Sequence, residues 1–153
     1  MRTAQVIGVD LGGTAIKLAR IRADGTVLAE AQCPTPQPAV PGAVTMALCD
    51  AIEQIDPEHA AEAVGIGLPG PMDAAARVAR VCINLPGWED VPLADWLESR
   101  LNRRVTLAND GNCAVVGEAW LGAARGVDDV VLLTLGTGCL LYTSDAADDM
   151  FRV

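Results

Sequence analysis

Asp10-Leu11-Gly12-Gly13-Thr14 sets a carboxylate, two glycines and a hydroxyl between the apolar run Val6-Ile7-Gly8-Val9 and the alternating run from Ala15 to Ile21. Glycines let backbone N–H groups approach an anion closely, and a carboxylate at a strand end can hold hydrated Mg²⁺. The layout is that of a phosphate-and-magnesium loop, with Asp10 toward the metal and Gly12, Gly13 and Thr14 toward phosphate. An ordinary hairpin turn would use the same residue types. No Gly-Lys-Ser/Thr follows, so this is not a Walker loop, and Gly8, Gly12 and Gly13 do not have the spacing of a dinucleotide fingerprint. Lys17, the only lysine in the chain, lies three residues past Thr14. It either reaches phosphate or is an exposed strand residue.

Two further segments carry the same chemistry. Asn109-Asp110 follows the apolar run Val105 to Ala108 and opens a helical pattern. Asp110 could be a helix N-cap. The other reading is a carboxylate at the C-terminal edge of a sheet, placed to accept a proton from a hydroxyl attacking a γ-phosphoryl group, with Asn109 orienting that hydroxyl. Leu135-Gly136-Thr137-Gly138 ends another apolar run and echoes the first glycine loop. Pro69-Gly70-Pro71 and Asn84-Leu85-Pro86-Gly87-Trp88 are rigid loops able to present polar groups to a polyol, or simple turns. Trp88 and Trp96 read as packing residues, and Glu118 as structural.

Positioning these residues requires strands at 4–10, 15–22 and 25–32, with Asp24-Gly25 as a hairpin turn. Cys33 to Gly42 carries four prolines and is expected to be a loop. Helical periodicity covers 43–55, where Val44, Leu48, Ala51, Ile52 and Ile55 share a face, and Asp56-Pro57 ends it. Strands are expected at 63–68, 104–108 and 130–135, with a short extended piece at 78–83. Helices are expected at 92–101 and 111–121, the latter turning Val115, Val116, Ala119 and Trp120 inward. Three antiparallel strands followed by alternating helices and strands is an α/β pattern.

Composition fits a globular domain: 153 residues, 51% hydrophobic and 20% charged, with an aliphatic core because aromatics are only 3%. The net charge of -9 argues against non-specific nucleic-acid binding. No apolar run approaches the ~20 residues of a membrane span, and Gln5, Asp10 and Lys17 interrupt any signal-peptide core. A cytoplasmic location is therefore expected. The five cysteines lack C-x-x-C spacing and His59 is the only histidine, so a Cys/His metal site is unsupported, and for four of the cysteines, set among apolar neighbours, buried free thiols are the simplest reading.

In this order, the segments resemble the ROK family of repressors, uncharacterised reading frames and sugar kinases, particularly its bacterial glucokinase-like members. Asp10 to Lys17 is similar to the first phosphate motif, and Gly65 to Pro71 with Asn84 to Trp88 to the sugar-side loops. Asn109-Asp110-Gly111-Asn112 is similar to the catalytic segment, and Leu135 to Gly138 to the start of the second phosphate loop. The resemblance implies an actin-like, ribonuclease-H-like two-domain ATPase fold and ATP-dependent phosphorylation of a hexose, most simply glucose. It implies Asp110 as catalytic base and Gly70, Asn84, Asn109 and Asp110 on the sugar. ATP phosphates and Mg²⁺ would fall to Asp10, Gly12, Gly13, Thr14, Lys17, Gly136, Thr137 and Gly138, with Asp10 as the metal residue. A homodimeric or homotetrameric parent is expected.

On this reading residues 1–126 form the N-terminal sugar-kinase domain, and 127–138 the first strand and phosphate loop of a truncated second domain. The family's zinc segment, a His and Glu completing the sugar site, and the adenine-binding region lie beyond Gly138 and are absent, so this chain alone is expected to be inactive. Residues 139–153 break the preceding pattern and match what one frame of a transposon-type sequencing adaptor would encode; they are expected to be non-native. The alternative is a sugar-sensing regulator of the same family without kinase activity. Such regulators carry an N-terminal helix-turn-helix for which the start of this chain leaves no room.

Overall fold

The computed structural model describes residues 4–82, 85–135 and 139–143, the last two residues of 131–135 and all of 139–143 by backbone only. The chain divides into two compact units, one ending at Asn109 and the other beginning at Asp110.

The first unit is a five-stranded mixed sheet with two helices. Strands β1 (Gln5–Leu11), β2 (Ala15–Arg22) and β3 (Val27–Pro34) form the antiparallel part, helix α1 (Pro41–Ile55) crosses over, and β4 (Ala63–Leu68) returns parallel to β1. A small antiparallel pair, β5 (Ala79–Val81) and β6 (Glu89–Val91), precedes helix α2 (Leu93–Leu101), and β7 (Arg104–Asn109) completes the sheet beside β4. The strand order is β3-β2-β1-β4-β7. β1, β4 and β7 are parallel neighbours, so their C-terminal ends share one edge.

Alternation along the strands decides which face is covered. Ile7, Val9 and Leu11 of β1, Ile16 and Leu18 of β2, Val64, Ile66 and Leu68 of β4, and Val105 and Leu107 of β7 are buried with Val44, Leu48 and Ile52 of α1 and Leu93, Leu97 and Leu101 of α2. The strand residues between them, Gly8, Asp10, Lys17, Gly65 and Thr106, occupy the other face. Trp88 is buried and donates its indole N–H to the Ala39 carbonyl at 2.8 Å, a packing role as expected.

Element ends follow local chemistry. α1 starts at Pro41, two residues before the periodicity alone indicates, because proline is preset for the first helical position. Asp56 caps its end and Pro57 prevents continuation. Asn102 ends α2 in the left-handed conformation at φ 51°. At the β2–β3 hairpin, Gly25 takes φ 86° and Asp24 accepts the Thr26 N–H at 2.9 Å. Strand β3 extends to Pro34, which shortens the expected loop at 33–42 from its start.

The second unit contains helix α3 (Asp110–Leu121) and the antiparallel pair β8 (Val131–Leu135) and β9 (Cys139–Thr143). Val115 is buried, but Trp120 is 44% exposed, contrary to the inward placement expected for it. Glu118 is structural, as expected: its carboxylate accepts the Ala123 N–H at 2.8 Å and its carbonyl accepts Gly122 N–H at 3.0 Å, closing the end of the helix. Among the described residues no helix is long and apolar enough to cross a membrane.

Candidate active site

The C-terminal edge of β1, β4 and β7 gathers most of the described candidate residues. Asp10 sits one residue before the end of β1, in register with Lys17 on β2 and with Gly67 on β4. Both Asp10 and Lys17 are exposed, on the face that α1 and α2 leave uncovered. Neither makes an ion pair or hydrogen bond with a described side chain.

Gly12, Gly13 and Thr14 form the β1–β2 turn, and all three of their carbonyls are occupied. Thr35 Oγ1 donates to the Gly12 carbonyl at 2.6 Å, Gln37 Nε2 to the Gly13 carbonyl at 3.1 Å, and the Thr35 N–H to the Thr14 carbonyl at 2.9 Å. The Gly12 N–H is used within the turn, toward Ala15 O at 3.0 Å, whereas the Gly13 and Thr14 N–H groups have no partner among the described residues. A Cβ at Gly13 would meet nothing within 4 Å, so packing does not demand glycine there. The turn therefore offers two amide donors without a partner among the described residues, beside an exposed carboxylate.

Gly70 lies just beyond β4. Its φ is +139°, and a Cβ there would overlap the carbonyl oxygen of Val81, so only glycine lets the loop pass β5. Its carbonyl accepts Asn109 Nδ2 in a long contact of 3.4 Å, joining the loop to the end of β7. Farther along, Asp73 Oδ1 accepts the N–H groups of Arg77 and Val78 at 2.7 and 2.8 Å. Arg77 clamps this segment to α2, with Nε on Asp95 at 2.9 Å and Nη1 on Glu98 at 3.0 Å. Arg77 first, and then the Val105 N–H, hold the Glu98 carboxyl below its ordinary value. Gly70→Ala is expected to lower the stability of the first unit by more than about 2 kcal/mol, from strain and overlap together. Urea unfolding checks this, and an unchanged midpoint would mean that the loop accommodates a side chain.

Asp110 is the first residue of α3 and is joined to the sheet edge by its peptide bond to Asn109. One carboxylate oxygen accepts the Gly111 N–H at 2.8 Å. Asn84, Gly136, Thr137 and Gly138 lie outside the described residues. Among the described residues no group of three His, Cys, Asp or Glu side chains converges. A lone carboxylate such as Asp10 suits Mg²⁺ that keeps most of its waters and takes its other ligands from phosphate.

Sequence reading missed Thr35 and Gln37. The available signal was two polar residues set among prolines in a segment otherwise without a role, one of which turns out to be buried.

The ROK family model matches residues 6–139. Glucokinase from Thermotoga maritima is 39% identical over 138 residues, covering 90% of this chain and 44% of the relative. N-acetyl-D-glucosamine kinase from Pectobacterium atrosepticum is 36% identical over 86% of this chain and 43% of the relative. The solved structure of a ROK family glucokinase from Streptomyces griseus, in complex with glucose and AMPPNP, matches with a TM-score of 0.84 at 35% identity, over 92% of this chain and 44% of that one. The chain thus spans less than half the length of these relatives, and its α/β fold matches that of ROK glucokinases, the actin-like ATPase fold expected from the sequence. Family match, identity and fold agree over nearly all of the described residues: the chain belongs to the ROK family.

Proposed function

We propose that this chain is the N-terminal part of an ATP-dependent hexose kinase that converts glucose to glucose 6-phosphate. The observation that carries the reading is the β1–β2 turn, where every carbonyl from Gly12 to Thr14 is occupied while the Gly13 and Thr14 amides have no described partner. Unpaired, outward N–H groups bind phosphoryl oxygens. Asp10 beside them would hold Mg²⁺, which offsets charge on the transferred group when bound, and Lys17 adds a positive charge on the same face. The glucokinase and N-acetyl-D-glucosamine kinase relatives support a sugar acceptor.

In this mechanism Asn109 and the Gly70 loop orient the sugar, and Asn84 would add a further contact to it. Asp110 accepts the proton of the attacking hydroxyl as the oxygen–phosphorus bond forms. Gly136, Thr137 and Gly138 would add further contacts to phosphate. The family match ends at residue 139, which supports reading residues 139–153 as a non-native tail. Resequencing the source locus past codon 138 tests that reading, and a genomic copy of the tail would sink it.

A coupled assay for ADP release tests the function. The longer protein continued from the source locus is expected to turn over ATP only when sugar is present. The 153-residue chain alone is expected to show no such turnover, because alignment of donor and acceptor supplies much of the catalysis and this chain covers 44% of its relatives' length. Sugar-dependent turnover by the short chain would overturn the second expectation, and its absence from the longer protein the first.

A further inference from the structure

We propose that the segment Thr35–Gln37 after β3 is a positioning device for the phosphate loop, setting its amides before any ligand arrives. The inference rests on the phosphate reading of Gly12 to Thr14 given above. A trans peptide is planar, and its C=O and N–H point in opposite directions. The Gly12 carbonyl shares a peptide plane with the Gly13 N–H, and the Gly13 carbonyl shares one with the Thr14 N–H. Pulling the first carbonyl onto Thr35 Oγ1 and the second onto Gln37 Nε2 therefore turns those two N–H groups away from the segment. They are the amides that have no described partner.

Thr35 is the principal residue of the device. It is buried, 3% exposed, and uses both its hydroxyl and its N–H on the loop, toward Gly12 and Thr14. Gln37 is exposed and adds the third bond from outside. Donors fixed in advance do not have to be reorganised when charge arrives, so the segment raises affinity for phosphoryl oxygens without touching them. The ligand class is the phosphate chain of a nucleoside triphosphate or a simpler polyphosphate.

The test uses the ¹⁵N-labelled 153-residue chain, titrated with pyrophosphate and Mg²⁺ while the amide signals of Gly13 and Thr14 are followed. The unaltered chain is expected to show saturable shifts at both. Thr35→Val should weaken the apparent affinity about tenfold, the worth of roughly one well-placed hydrogen bond, and Thr35→Ser should restore it. Gln37→Ala, at an exposed position, should weaken it about threefold with the change centred on Thr14. Urea midpoints separate loss of the site from loss of the fold, and Gln37→Ala keeps the test decisive if Thr35→Val does not fold. Equal affinity in the unaltered chain and in both Thr35→Val and Gln37→Ala would overturn the positioning role and leave the phosphate reading standing. No shift at Gly13 or Thr14 in the unaltered chain would overturn both.

Discussion

Asp110→Asn in the longer protein is expected to lower kcat by about a hundred- to ten-thousand-fold while changing the KM for sugar by less than about threefold. Asparagine keeps the size and an oxygen acceptor, so the bond from the Gly111 N–H and the start of α3 survive. What it loses is the ability to take a proton from the attacking hydroxyl. An interaction needed only in the transition state should fall on kcat rather than on ground-state binding. Asp10→Asn provides the contrast: Asp10 would act through Mg²⁺ on the donor, so its loss should raise the KM for Mg·ATP. Steady-state kinetics with each substrate varied in turn would separate the two. If Asp110→Asn retained more than about a tenth of the kcat, Asp110 would be a helix-opening residue and the base would lie elsewhere.

Residues whose place is set by strand alternation or by a turn were legible in the sequence; Thr35 and Gln37, which hold another segment's backbone, were not. The alternation Ile7, Val9, Leu11 gave β1 its buried face, and it necessarily set Asp10 on the opposite face near the strand's end. Gly70 was legible as a turn between prolines, although its close approach to Val81 depends on a pairing of β5 that local sequence does not encode. Thr35 and Gln37 were invisible because their partners are backbone carbonyls of residues 12 to 14, and no side-chain pattern links positions more than twenty residues apart. β6 was missed because three residues including Asp90, at φ 49°, carry no alternation. Trp120 was turned the wrong way for a different reason. α3 carries Val115, Val116, Ala119, Trp120 and Leu121 around most of its circumference, so periodicity could not choose a face. The order of the glycine and Asn-Asp motifs, not any one of them, supported the family reading.

The largest expected loss of stability lies at the opposite edge of the sheet from the site. Asp56, fully buried at the end of α1, accepts Arg20 Nη1 at 2.7 Å and Arg103 Nη1 at 2.6 Å. It also accepts the N–H groups of Ala60 and Ala61 at 3.0 and 2.9 Å. One carboxylate thus ties together β2, the end of α1, the segment leading to β4 and the residue before β7. Burial by itself would raise its pKa, but the bonds from Ala61, Arg20 and Ala60 and the charge of Arg103 together outweigh it, so the carboxyl is held below its ordinary 3.8. Asp56→Ala is expected to cost about 3–5 kcal/mol, because it leaves Arg103, itself 8% exposed, without its carboxylate partner and strips two backbone donors. The pH dependence has a definite sign. A carboxyl that binds its proton less readily when folded stabilises the fold fully above its unfolded value, and that contribution fades as pH falls from about 4 toward the lowered folded value. Urea unfolding of the parent chain should therefore show stability declining below about pH 4, and Asp56→Ala should remove part of that slope. A loss under about 1 kcal/mol with the slope unchanged would mean that the two arginines are held by their surroundings and that Asp56 is not the residue organising this edge.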